Sequence, residues 1–411
     1  MSSRPAACAT LALGVLLAFC VPSARAADSG NLLVNPGFET TLSGHSWMAA
    51  GWDTSVTGLP TVFFGRDTVL AHSGRYAVNV ANVSTLMPLW HNWSQTVVVG
   101  PEAWNKDAVF SIWTRSNGVQ GRGYVLLQAY RDTVGKMSRI WKTSRDAAMS
   151  RLGIVITSDP YIYLGMKREY FSDSETGWTR REVRVFVPPS TNLLIVRGGL
   201  FGTGQVFVDD ASLTLETAQP APELPVGVNL LKDPGFEGTG DLWEYSLPPY
   251  DDMRCERETT VVHSGRAAVG FWGGTVGMVS TRAGVAQVIA NRNLGGKRVR
   301  LAGWIKCDSL MTTSSIKLYA TTLDGDQDVA APRLLSMTTP WTRLELDMDM
   351  PPDTYQVWGW MYYTAPQVGR VYFDDASLEI LGPARGAGAV ATPAKPPPKT
   401  PPKQSGRRLG R

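Results

Sequence analysis

Reactive side chains are scarce in this sequence. Among 411 residues there are four histidines and four cysteines. There is no Ser nucleophile elbow, no His-Glu-x-x-His motif and no cysteine in a nucleophile setting, so the signatures of serine, cysteine and zinc hydrolases are missing. Glycoside hydrolysis needs only two carboxylates. Composition therefore leaves that one class of hydrolase open.

Long apolar runs are absent after the first 26 residues. Arg4 precedes an apolar run at residues 9–21, and Ala-Arg-Ala at residues 24–26 offers small residues for cleavage, a pattern typical of a secretory signal. The run is too short to cross the roughly 30 Å core of a bilayer. We therefore predict a signal peptide at 1–26 and a secreted protein, extracellular or periplasmic, that does not span a membrane.

Two cysteines remain in the mature chain, because Cys8 and Cys20 leave with the signal. An exported protein meets oxidising conditions, so we predict a disulfide between Cys255 and Cys307. It would close a loop of about 50 residues and add roughly 3 to 4 kcal/mol to the stability. The alternative is two separate buried thiols.

Positive charge is concentrated at the two ends of the chain. Of the net charge of +4, Arg4 and Arg25 supply two positive charges and the tail from Pro383 supplies seven without an acid, so residues 27–382 carry −5. Such a folded part gives no support to nucleic-acid binding. The Pro- and Lys-rich tail at 383–411 cannot bury apolar surface and is predicted to be disordered. It either stays solvated or contacts anionic cell-surface polymers.

Two sequence phrases occur twice. Residues 31–39 (NLLVNPGFE) return as 229–237 (NLLKDPGFE), and residues 208–213 (VDDASL) return as 373–378 (FDDASL). His-Ser-Gly-Arg, Trp-Thr-Arg and Pro-Pro motifs recur between them in the same order. Because each copy begins with one phrase and ends with the other, the chain is a tandem duplication of one folding unit.

The phrases give the domain boundaries. We predict module 1 at 31–216 and module 2 at 229–382. The first copy carries about 28 additional residues somewhere between Tyr130 and Trp178, which we interpret as an elaborated loop. Residues 217–228 contain three prolines and no apolar period, which predicts a short, semi-rigid spacer between the modules.

Short alternating runs dominate both copies. Apolar residues alternate over runs such as 122–130 and 299–305, bounded by Gly, Pro, Asp and Ser, which is typical of strands. No stretch of a dozen residues shows a convincing helical stripe. Copies of this length suit two antiparallel sheets packed face to face. The predicted fold class is all-β, with two jelly-roll β-sandwich domains in tandem.

The repeated motifs resemble those of carbohydrate-binding modules. The opening Asn-Leu-Leu-x-Asn/Asp-Pro-Gly-Phe-Glu phrase, the Ser-Gly-Arg-x-Ala-Val turn and the closing Asp-Asp-Ala-Ser-Leu strand are similar to the type grouped as families 4, 9, 16 and 22. The resemblance implies a galactose-binding-like jelly roll in both copies and polysaccharide as the partner. Such modules usually flank a polysaccharide-degrading domain, for which this chain has no room.

Each closing strand contains an aspartate among apolar residues. With period two, Asp209 shares a face with Ala211 and Leu213, and Asp374 has the same place in the second copy. An unpaired carboxylate there would be costly. Either backbone or arginine hydrogen bonds compensate it, or, as the resemblance implies, a structural calcium does, since hard oxygen ligands suit Ca²⁺. The implied ligands are Glu39 with Asp209 and Glu237 with Asp374.

Aromatic side chains are the candidate ligand contacts, because sugar rings pack on indole faces. The chain has 14 tryptophans, and three pairs fill matching positions in the two copies, which indicates a structural role: Trp52/Trp243, Trp113/Trp304 and Trp178/Trp341. Unmatched aromatics are better candidates for binding.

The strongest candidate is the row Trp358, Trp360 and Tyr362, whose alternation projects the rings from one face. Alignment with module 1 places Trp360 opposite Arg197, which predicts an outward face; the alternative is core filling. Further candidates are Trp272, the unmatched Trp90 and Trp93, and Trp141. Trp141 has basic neighbours that would favour an acidic glycan, or is plain surface.

Three functions follow from these patterns. The first is a non-catalytic protein whose two modules each bind polysaccharide modestly, with avidity from tethering. The second is a structural or adhesive cell-surface protein that uses the modules for protein contacts. The third is a lyase or hydrolase on a jelly-roll scaffold.

Overall fold

The computed structural model describes residues 30–55, 60–84, 90–132, 161–172, 177–238, 242–246, 254–273, 281–365 and 368–385. The predicted signal peptide, Trp141 with its basic neighbours, and the tail beyond residue 385 lie outside the described residues. Within those ranges no helix is long and apolar enough to cross a membrane.

The described residues of module 1 form ten strands: β1 (Thr41–Leu42), β2 (His45–Ala49), β3 (Asp53–Thr54), β4 (Val62–Asp67), β5 (Ala77–Asn82), β6 (Trp90–Val98), β7 (Lys106–Asp132), β8 (Tyr161–Phe171), β9 (Thr179–Phe186) and β10 (Leu193–Thr217). The long strands β7 and β10 each contribute one half to each of two layers. One layer has the order β3-β6-β10-β7-β8, and the other has the order β4-β5-β10-β7-β9.

In the part of module 2 that the structure describes there are nine strands: β11 (Glu244–Ser246), β12 (Arg254–Glu258), β13 (Ala268–Gly273), β14 (Thr281–Ala290), β15 (Lys297–Thr322), β16 (Gly325–Ala330), β17 (Leu335–Asp349), β18 (Gln356–Ala365) and β19 (Gly369–Pro383). The layers repeat those of module 1, with β18 and β19 in place of the two halves of β10. Their orders are β11-β14-β18-β15-β16 and β12-β13-β19-β15-β17.

Each pair of layers encloses a hydrophobic core. Trp52 and Trp243 lie in the two cores, 2% and 1% exposed. Their indole N–H groups donate to the carbonyl oxygens of Asn35 and Asp233, at 3.0 and 2.9 Å. These carbonyls belong to the opening phrases, so the matched tryptophans tie each phrase to its core. The all-β jelly-roll architecture in tandem is confirmed.

The two modules pack directly against each other. The layers that meet are the ones containing β8 and β18, which we call the facing layers; the other two are the distal layers. Tyr163 Oη donates to Gln356 Oε1 at 3.1 Å, and Gln356 Nε2 donates to the carbonyl oxygen of Met166 at 3.0 Å. Tyr355 of module 2 packs into the core cluster of module 1. The interface is therefore continuous with a hydrophobic core.

The linker runs along the modules. The amide of Gln219 donates to Asp107 Oδ2 at 3.0 Å, and the amide of Gly227 donates to the carbonyl oxygen of Ile380 at 2.9 Å. The predicted spacer at 217–228 therefore joins the modules without holding them apart.

The disulfide prediction is wrong. Cys255 and Cys307 are both free thiols. In the distal layer of module 2, Cys255 pairs with Phe271, Phe271 with Val371, and Val371 with Cys307. Three strand spacings separate the sulfur-bearing residues by about 14 Å, whereas a disulfide needs Cα atoms within about 7 Å. Burial raises the pKa of both thiols, which keeps them protonated.

We predict that unfolding without a reductant exposes two reactive thiols. A protein lacking residues 1–26, denatured in iodoacetamide, should gain two adducts by intact mass spectrometry, and prior reduction should not change that number. Adducts that appear only after reduction would contradict the strand register of the distal layer.

Candidate functional site

A bulge in the closing strand redirects its aspartate. Val208 of β10 faces the core of module 1, and so do Ala211 and Leu213, so the alternation is interrupted between them. At the interruption the pairing with β7 shifts and Asp210 adopts a positive φ of 45°. The prediction that Asp209 shares a face with Ala211 and Leu213 is therefore wrong, although the side chain is fully buried.

Backbone amides compensate the buried carboxylates. Asp209 Oδ2 accepts from the amides of His72 and Ser73, at 2.8 and 3.2 Å. Glu39 Oε1 accepts from amides 75 and 76 of the same turn, at 2.9 and 3.1 Å. Burial raises the pKa of Asp209 to about 6, and the amide hydrogen bonds oppose that rise. Module 2 repeats these contacts with Asp374, His263, Ser264, Glu237, Arg266 and Ala267.

A histidine locks the same turn to the bulge. His72 Nδ1 lies 2.6 Å from Asp210 Oδ2, and the imidazole stacks on Trp113 with ring centroids 3.9 Å apart. Trp178 packs against the imidazole at 5.7 Å. The matched tryptophans outside the core thus hold the imidazole, a structural role. Module 2 has the same cluster in His263, Asp375, Trp304 and Trp341.

The predicted calcium ligands are brought to one turn in each module. Both oxygens of each aspartate and one oxygen of each glutamate already accept amide hydrogens, which place positive charge density where a cation would bind. Among the described residues, no group of three or more His, Cys, Asp or Glu side chains is placed to hold a metal ion. Calcium at Glu39 with Asp209, or at Glu237 with Asp374, therefore stays a prediction.

Strand β18 points its aromatic residues away from the module 2 core. Val357 and Met361 lie in that core, and a Cβ at Gly359 would approach a core leucine methyl to 2.9 Å. Alternation therefore places Trp358 and Trp360 on the opposite face, the outer face of the facing layer. The predicted direction of this face is correct, and the core-filling alternative is wrong.

The three rings of the predicted row differ in exposure. Trp358 and Trp360 are half-buried, whereas Tyr362 is only 6% exposed. The ring centroid of Trp360 lies 5.6 Å from that of Tyr362 and 5.8 Å from that of Tyr319 on β15. The ring centroid of Trp358 lies 6.4 Å from that of Tyr163 in module 1. The prediction of three open rings is therefore wrong for Tyr362, and the accessible rings continue sideways to Tyr319.

In module 1 the candidates Trp90 and Trp93 have opposite roles. Trp93 is fully buried in the core and donates its indole N–H to the carbonyl oxygen of Asn79 at 2.8 Å, so its prediction as a sugar contact is wrong. Residues three apart on a strand point to opposite faces. Trp90 accordingly lies on the outer face of the facing layer and is half-buried. Its ring centroid is 4.5 Å from that of Phe201 and 4.5 Å from Arg168 Cζ.

A cleft of about 460 Å³ lies where the two facing layers meet. Both modules contribute aromatic rings and polar groups to its walls. Its lining comprises Trp90, Tyr163, Met166 and Arg168 of module 1, and Glu244, Tyr245, Ser246, Ala286, Tyr319, Asp326, Trp358 and Trp360 of module 2.

An ion pair between Arg168 and Glu244 crosses the cleft. Arg168 contacts the Glu244 carboxylate, which also accepts a hydrogen bond from Tyr170 Oη. The Arg168 and Glu244 side chains are 14% and 18% exposed. Burial is the largest influence and lowers the pKa of Arg168, but Glu244, Tyr170 and Tyr124 together more than offset it, so the pKa of Arg168 is raised. Burial, and then the Glu244 charge, raises the pKa of Tyr170, which therefore remains a donor.

A further predicted residue lies outside the cleft, and several residues that line it were not predicted. Trp272 is half-buried in the distal layer of module 2, beneath Arg370 at 5.9 Å, and does not line the cleft. Tyr163, Arg168, Tyr319 and Glu244 were not predicted. A signal existed for Tyr319, which alternates with apolar residues on β15 as Trp360 does on β18.

No protein-family model and no curated protein matches the chain. Solved structures with a similar fold include the tandem pair of family 22 carbohydrate-binding modules from Paenibacillus barcinonensis. That pair is 15% identical and has a TM-score of 0.29, with 87% of this chain and 100% of that chain covered. A single family 22 module from Clostridium thermocellum is 16% identical, covers 40% of this chain and 100% of its own, and has a TM-score of 0.31.

Another similar structure is an enzyme, a Stig cyclase from Fischerella sp. TAU. It is 16% identical and has a TM-score of 0.31, with 46% of this chain and 98% of that chain covered. The structural neighbours of this chain thus include both carbohydrate-binding modules and an enzymatic domain.

We predict that the turn facing Glu237 cannot accept a side chain at its glycine. Gly265 has a φ of 64°, and a Cβ there would lie 1.9 Å from Glu237 Oε1. Gly265→Ala should cost about 3 kcal/mol, because a left-handed backbone costs about 1 kcal/mol and displaced carboxylate hydrogen bonds cost the rest. Chemical denaturation measures the loss.

Gly296→Ala is the matched control. Gly296 has a φ of 69° and open space around its Cβ position, so only the backbone cost of about 1 kcal/mol is expected. Equal losses in the two variants would show that the carboxylate contact adds nothing.

The calcium prediction is tested by melting the protein in excess calcium and in chelator. An ion bound only by the folded state adds about 2.7 kcal/mol at a hundredfold excess over Kd, so we expect a higher melting temperature in calcium. The double variant Glu39→Gln, Glu237→Gln should lose that difference. An unchanged melting temperature in the parent protein would argue that amide hydrogen bonds alone compensate the acids.

Proposed function

We propose that this chain is a secreted, non-catalytic protein that binds polysaccharide. The observation that carries the proposal is the pair Trp358 and Trp360, whose rings face a cleft instead of the core. Sugar rings stack on such faces while neighbouring polar side chains bond the hydroxyls. Tyr319 extends the aromatic surface, and Ser246 and Asp326 supply hydrogen-bonding groups along the same walls.

The state of the acids in the cleft supports a binding role over hydrolysis. Glycoside hydrolysis requires two carboxylates, one as acid and the other as base or nucleophile. Glu244 and Asp326 are the carboxylates in the lining. The Glu244 carboxylate is engaged by Arg168 and Tyr170, which makes it a poor base or nucleophile. The site is thus better equipped to hold a sugar chain than to cleave it.

We expect Trp360→Ala to weaken retention by the bound polysaccharide about 30-fold, since truncating a tryptophan at the centre of an interface costs about 2 kcal/mol or more. Affinity electrophoresis in gels containing soluble polysaccharides measures the change. Trp47→Ala is the matched control, because Trp47 is 45% exposed on β2 and does not line the cleft.

Equal mobility of the Trp360→Ala variant and the parent protein in the gel that retards the parent would contradict the role of β18. Release of reducing sugar by the parent, abolished by Asp326→Asn, would instead establish a hydrolase.

A further inference from the structure

We infer that the cleft between the modules is a single site that takes one neutral glycan chain and contacts it with both modules at once. This inference rests on the proposed function and adds the chemistry of the ligand, the stoichiometry and the contribution of module 1. It replaces two modest sites joined by avidity with one composite site per protein.

Aromatic residues of both modules line the cleft. Trp358 and Trp360 form part of the module 2 wall, and Trp90 and Tyr163 form part of the module 1 wall. These four side chains are all half-buried. The ring centroids of Trp358 and Tyr163 lie 6.4 Å apart across the junction of the two modules, so a chain resting on the Trp358 and Trp360 rings lies within reach of the module 1 wall. A ligand on module 2 is therefore also a ligand of module 1.

Hydrogen bonds and an ion pair fix the two modules relative to each other. Gln356 of β18 is hydrogen-bonded to Tyr163 and to the Met166 backbone. Elsewhere between the modules, Arg122 Nη1 donates to the carbonyl oxygen of Trp243 at 3.0 Å. With the Arg168–Glu244 pair, these contacts hold both walls in register before a ligand arrives. Preorganised walls lower the entropic cost of binding.

The charged residues that line the cleft indicate the chemistry of the ligand. Among the described residues that line the cleft, Arg168 is the only lysine or arginine, and it is paired with Glu244. Asp326 adds a second acid, so the lining has no net positive charge with which to attract carboxylate or sulfate groups. An acidic polysaccharide would meet repulsion, whereas hydroxyl groups of a neutral glycan find both donors and acceptors.

Stoichiometry is the first test and needs no variant. A neutral oligosaccharide prepared from whichever polysaccharide retains the parent protein is titrated into the mature full-length protein by calorimetry. We expect one oligosaccharide per protein. Two independent sites per protein would overturn the shared cleft while leaving polysaccharide binding intact.

Variants of module 1 provide the second test. Tyr163→Ala removes a ring from the module 1 wall and should weaken binding at least tenfold, as should Trp90→Ala. Tyr163→Phe keeps the ring and loses only the hydrogen bond to Gln356 Oε1; the Gln356–Met166 hydrogen bond and the Arg168–Glu244 pair still join the modules, so this variant should bind within about threefold of the parent protein. Melting curves and circular dichroism check that each variant folds. Parental affinity in the folded Tyr163→Ala and Trp90→Ala variants, beside a loss in Trp360→Ala, would overturn the contribution of module 1.

Ligand charge is the third test, by affinity electrophoresis with neutral polymers (β-glucan, xylan, galactan, mannan) and acidic ones (polygalacturonate, alginate). We expect retardation by a neutral polymer and none by the acidic polymers at moderate ionic strength. Retention only by acidic polymers would overturn the neutral-ligand inference. Retention by no polymer would contradict the proposed function itself, an outcome distinct from two-site binding or unaffected module 1 variants.

Discussion

The alternation of side chains along strand β18 is the constraint on which the rest of this structure depends. Residues at odd and even positions point to opposite faces, so Val357 and Met361 fill the core while Trp358 and Trp360 leave it. Gly359 sits between the two tryptophans on the core side, where a larger residue would strike leucine side chains. The same strand therefore completes the sandwich and presents its aromatic face to module 1.

The duplicated folding unit solves the problem of its buried acid with its own backbone. Asp209 and Asp374 lie within the closing strands, each directly before an aspartate with positive φ, and this bulge takes the carboxylate out of the core and under the His-Ser-Gly turn. Amide hydrogens then satisfy oxygens that would otherwise be costly to bury. The presence of the same contacts in both modules explains why the opening, turn and closing motifs recur together.

Motif spacing was sufficient to predict the duplication, the all-β class and the outward direction of Trp360. It failed where the strand pattern is locally irregular or depends on distant partners. The bulge at Asp210 reverses the face expected for Asp209. Trp93 is indistinguishable from Trp90 by type, and only the register of β6 decides which of them enters the core. Export to an oxidising compartment favoured a disulfide between Cys255 and Cys307, but two intervening strands hold the two cysteines apart.

The cleft itself was beyond the reach of sequence patterns, because its contacts join residues such as Tyr163 and Gln356 that are 193 positions apart. Its most buried charge pair, Arg168 with Glu244, need not stabilise the fold, since desolvation offsets much of the Coulomb energy in such pairs. The pair does penalise other arrangements of the two modules, because an arrangement that buried Arg168 or Glu244 without its partner would leave a buried charge unpaired. The same pair therefore sets the geometry between the walls and neutralises the cation that an acidic ligand would require.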